Sequence, residues 1–85
     1  MCTYSTEKVA LVRSSAKARD GWVPASEATV YYDHPVHAPD AHTVNIDFLA
    51  ADQGPSARVA VELSLESARE LLAALATTVE RAQEH

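Results

Sequence analysis

Thr43-Val44-Asn45-Ile46-Asp47-Phe48-Leu49 decides the fold. From Val44 to Phe48 apolar and polar side chains alternate with a period of two. This pattern is that of a strand with Val44, Ile46 and Phe48 turned inward and Asn45 and Asp47 outward. Downstream, Gln53-Gly54-Pro55-Ser56 reads as a turn, and Ala57 to Leu63 alternates again, with Val59, Val61 and Leu63 against Arg58 and Glu62. Two alternating runs joined by a short turn-rich connection are expected to pair antiparallel.

Upstream, Glu27 to Asp33 is a further strand. Ala28, Val30 and Tyr32 point one way, and Thr29, Tyr31 and Asp33 the other. A first period-two stretch runs from Glu7 to Arg13. Between them, Ser14 to Gly21 is polar and ends in the Asp20-Gly21 turn signal, so it is expected as a surface loop or arm. Trp22-Val23-Pro24 resumes apolar character; Pro24 cannot donate to a ladder, which suits an edge or a strand start. Trp22 is expected as a core or interface anchor.

Ser64 is a natural N-cap, Glu66 suits the positive end of a helix dipole, and Ala68, Leu72, Leu75 and Val79 recur at helical spacing with Leu71 beside them. The apolar stripe of such a helix needs a sheet to cover. The expected architecture is α+β: about four strands, mainly antiparallel, with one C-terminal helix on one face. The 85 residues have room for a single domain, residues 1–85. The opposite, polar face of the sheet is expected to stay wet in a monomer. That face, the small size and Trp22 together favour a homo-oligomer, a dimer first.

The balance of charges excludes some partners. A net charge of −5, with seven basic residues scattered among twelve acids, gives no basic face for nucleic acid. No apolar run reaches the length of a membrane span. The first residues, Met-Cys-Thr-Tyr-Ser-Thr-Glu-Lys, carry no apolar core of a secretory signal, and Cys2 is the only cysteine. Both features fit a cytoplasmic protein.

The chemically unusual segment is Asp33-His34-Pro35-Val36-His37-Ala38-Pro39-Asp40-Ala41-His42, which holds three of the four histidines. Imidazole ligates zinc, iron, copper and nickel through whichever ring nitrogen is unprotonated. Pro35 and Pro39 fix φ and lower the entropy lost on ordering the loop. His34 follows one strand and His42 precedes the next, so pairing of those strands would bring their side chains together. His37 would reach in from the tip, and Cys2 could complete the set if the N-terminal segment packs alongside.

Three imidazoles with an open position would be catalytic in style, the metal acting as Lewis acid or activating water or dioxygen; adding the thiolate would close a structural site. The spacing H-x2-H-x4-H matches none of the specific zinc signatures. Two alternatives stand beside the metal: a solvated His-Pro loop on an interaction module, and metal-free use of the histidines as a general base or for a small polar ligand. Asn45 and Asp47 are candidates for orienting a ligand histidine. His85 is expected as a solvated end. No nucleophile elbow, phosphate-cradling glycine loop or CxxC is present.

Met-Cys-Thr at the start, Arg19-Asp20-Gly21-Trp22, Tyr31-Tyr32-Asp33-His34-Pro35, His42-Thr43-Val44-Asn45-Ile46-Asp47-Phe48 and Gly54-Pro55-Ser56-Ala57-Arg58 carry a resemblance over nearly the whole chain. The chain resembles a family of small, single-domain actinobacterial proteins of unknown function. That resemblance implies a self-contained protein and transfers no catalytic residue.

Overall fold

The computed structural model of the chain describes residues 5–34, 41–50 and 57–85. Its elements are β1 (Ser5–Ala10), β2 (Ser15–Ala18), β3 (Gly21–Pro24), β4 (Glu27–Asp33), β5 (Thr43–Leu49), β6 (Val59–Leu63) and α1 (Leu65–Gln83). Four strands form an antiparallel sheet in the order β1-β4-β5-β6, and β2 and β3 form a second, two-stranded sheet. The class is α+β, as the alternation and the C-terminal stripe predict.

The register follows from the alternating residues. Val30 lies opposite Ile46, which lies opposite Val61; Tyr32 lies opposite Val44, which lies opposite Leu63. Shifting any pair by one residue would turn these side chains to the other face. Glu7 pairs Val30 and Val9 pairs Ala28, so β1 extends the same apolar face with weaker apolar content.

The polar run from Ser14 to Gly21 is not a loop. Ser15–Ala18 pairs antiparallel with Gly21–Pro24, and Ala18 opposite Gly21 leaves Arg19-Asp20 as a two-residue connection. Gly21 adopts φ +137°, a region closed to side-chain-bearing residues, which is why glycine ends this tight hairpin. Backbone bonds seat the hairpin on the main sheet: Ala25 N–H donates to Ser14 O and Ser26 N–H to Leu49 O. Trp22, expected as a core or interface anchor, is 68 % exposed on this hairpin and so is not part of the core formed by the described residues.

Two features of burial reverse the expectation for the faces. First, the polar side of the central strands is the dry one. Thr43 is fully buried, and Asp33 and Asn45 are buried with it, so the polar face is not left wet around them. It tolerates this because its groups satisfy one another: Thr43 Oγ1 donates to Asn45 Oδ1 at 2.8 Å, and Asp33 Oδ1 accepts from the His34 N–H at 2.7 Å. Second, the buried hydrophobic residues among those described are all alanines, at positions 25, 28, 50 and 57.

The helix begins as expected, with Ser64 Oγ accepting from Ser67 N–H at 3.1 Å. Its first turns lie over the apolar face of the sheet, where Val30, Val44, Ile46 and Leu63 face Leu65, Ala68 and Leu72 across a cavity of about 370 Å³. Within α1 only Ala68 is partly buried.

Candidate functional site

Asp33 pairs with Thr43 as the last rung between β4 and β5. The residues flanking that rung are His34 and His42, so the ladder itself delivers the two imidazoles to one end of the sheet. Their ring centroids lie 4.6 Å apart with planes tilted by 34°. Tyr32, on the neighbouring strand position, stacks on His42 at 5.6 Å and 27°, which limits the ring's freedom to turn away.

Backbone groups orient the pair further. His34 Nδ1 lies 3.2 Å from the carbonyl oxygen of Ala41. A carbonyl only accepts, so in the neutral ring Nδ1 carries the proton and Nε2 the lone pair. A backbone carbonyl holding the far nitrogen is the usual way a metal-ligating histidine is aimed. Asp33, 5 % exposed, grips the His34 N–H and fixes the point where the chain leaves the strand.

His34 and His42 are thus brought together. His37 and Cys2, the other residues expected at the site, lie outside the described residues, as does Asp40. Among the described residues no group of three or more His, Cys, Asp or Glu side chains is placed to hold a metal ion. Two imidazoles are therefore the described part of the candidate site.

Asn45 and Asp47, expected as candidates for orienting a ligand, do other work. Asn45 is bonded to Thr43, while Asp47 Oδ2 accepts from Tyr31 Oη and from Arg58 Nη1, each at 3.4 Å. The Tyr31 phenol is held above its ordinary value, first by burial, then by the charge of Asp47 and the hydrogen bond to it, with Arg58 partly offsetting the effect. The ion pair of Arg58 and Asp47 is half open to solvent on the arginine side, so it adds little stability.

Thr43 is the residue that sequence reasoning missed as part of the site, and Asp33 was placed in the histidine segment without its role as the closing rung. Their signal was present in their positions, as the paired residues immediately inside the two histidines. His85 is exposed at the end of α1, far in sequence from the pair.

None of the helices of the described residues is long and apolar enough to cross a membrane. No curated protein and no solved structure matches the chain. A family model does match, over residues 1–85, and its description is a family of unknown function (DUF6295). The chain belongs to that family.

Proposed function

We propose that the chain is a small metal-binding protein that holds a divalent transition metal, Zn, Fe, Cu or Ni, on His34 and His42. The observation that carries this reading is the convergence of the two rings, 4.6 Å apart at the end of a β ladder. The Ala41 carbonyl supports it by presenting Nε2 of His34 as the lone-pair nitrogen. Two imidazoles leave further coordination positions, for which His37 and Cys2 are the candidates in the sequence. With His37 alone the site would keep an open position and could polarise a bound water; with Cys2 as well it would be closed and structural. The lone thiol, Cys2, favours the cytoplasm as its location.

Chelator-treated and metal-reloaded protein test this. His34→Ala and His42→Ala each lower Tm of the reloaded protein and leave the chelated protein little changed. Equal losses in both states would assign the rings to ordinary packing.

A second reading, a non-catalytic homo-oligomeric module with the His-Pro loop on its surface, is favoured by a separate observation. Large apolar side chains stand exposed on α1, with Leu72 68 % and Leu75 60 % accessible.

A further inference from the structure

Beyond its first turns, α1 has few of the packing contacts that normally stabilise a helix among the described residues. In folded proteins most of a helix's stability comes from the packing of its apolar stripe. In α1 the stripe is regular. Leu65, Ala68, Leu72, Leu75, Val79 and Ala82 recur at alternating spacings of three and four, the a and d positions of a heptad repeat. The 19 residues of α1 span about 28 Å. Leu65, Leu72, Leu75 and Val79 are each at least 49 % exposed along that length. The flanking e and g positions, among them Arg69, Ala76, Gln83, Leu71 and Thr78, carry a single charge within the helix. A like helix can approach without a row of repelling charges.

The excess of exposed surface has a definite size. A compact chain of 9.2 kDa exposes about 4,900 Å². This one exposes 6,592 Å², so roughly 1,700 Å² is left over relative to that scaling. Its radius of gyration is 14.0 Å, against about 12 Å for a compact chain of this length. A standard interface buries about 800 Å² per partner and an obligate one about 1,000–2,500 Å². That excess is summed over the whole chain, and on α1 it is carried by Leu65, Leu71, Leu72, Leu75 and Val79, each at least 47 % exposed.

We propose that a second copy of this chain covers the apolar face. The two α1 helices pack along their Leu72–Leu75 seams, and each copy closes the cavity bounded by Val30, Val44, Ile46 and Leu63 of the sheet. This rests on the oligomeric reading above and assigns it a surface, one different from the polar sheet face and from Trp22. The alternative occupant, a small apolar molecule in the cavity of about 370 Å³, would leave Val79 and the outer flank of Leu72 in water. The symmetric arrangement makes the contact self-complementary, and each chain buries in the dimer large apolar side chains of a kind not buried among its described residues alone.

Sedimentation of the full chain at micromolar concentration tests the assignment. The expected result is a species of twice the chain mass, with a melting temperature that rises with protein concentration. Leu72→Glu with Leu75→Glu gives a monomer or an unfolded chain, while Trp22→Ser remains dimeric. A wild-type monomer with a concentration-independent melting temperature overturns both the surface and the oligomeric reading, as does a monomer carrying a co-purifying apolar molecule. A dimer that survives the double substitution overturns the surface alone.

Discussion

At the scale of single residues, the polar side of β4 and β5 shows how an alternating strand can be read correctly and its environment misjudged. Asn45 and Thr43 face the same way as Asp47, as the period of two requires, yet they are buried and Asp47 is less so. Alternation specifies which side chains share a face and says nothing of what lies over that face. The bond from Thr43 to Asn45 and the bond from the His34 amide to Asp33 are what make burial tolerable. Tyr31 provides a titratable reporter of the same face. Its raised value means the neutral phenol is favoured by the folded chain, so the associated stability is present below about pH 10 and is lost as pH rises through the raised value. Asp47→Asn removes the charge that contributes to the shift. Spectrophotometric titration of the phenols, with Tyr31→Phe to identify the signal, is expected to show Tyr31 ionising at lower pH in Asp47→Asn than in the parent. An unchanged titration would remove Asp47 as a cause.

At the scale of elements, the strands with β-branched and aromatic alternation, β4, β5 and β6, were legible, and so was the start of α1. The hairpin of β2 and β3 was not. Ser15-Ala16-Lys17-Ala18 has no β-branched or aromatic residue, so nothing in its composition favours a strand. Its pairing is specified by Gly21 and the two-residue connection, a turn signal read without its consequence. Gly21→Ala is therefore expected to destabilise by roughly 1–3 kcal/mol through backbone strain. No atom would crowd the added Cβ within 4 Å. A urea midpoint equal to the parent's would show that the hairpin relaxes freely. Ser64→Ala removes the cap at the other well-read boundary and is expected to cost about 1 kcal/mol, measured as loss of helical ellipticity and of the urea midpoint together. An unchanged midpoint would contradict the role given to Ser64 Oγ.

The histidine pair sits between these scales. Its convergence was legible because an antiparallel ladder necessarily brings together the residues just beyond its last rung, and Asp33 opposite Thr43 is that rung. The orientation of His34 by the Ala41 carbonyl was not legible, since it depends on how the segment re-enters the strand.

For the whole molecule, size and exposed surface tell one story. A chain of 85 residues with a net charge of −5 has a thin margin of stability, and the buried hydrophobic side chains among the described residues are alanines. Such a chain can gain stability by association or by a ligand that binds only the folded form. The exposed α1 seam supplies a route for the first, and the His34 and His42 pair a route for the second. The two are separable, because the seam and the pair share no residue. The most direct test of the metal reading is an elemental inventory of protein purified without an affinity tag. Stoichiometric Zn, Fe, Cu or Ni is expected, removable by chelator and diminished in both His34→Ala and His42→Ala. Protein that carries no stoichiometric metal, and takes up none of these ions after refolding in their presence, would contradict that reading.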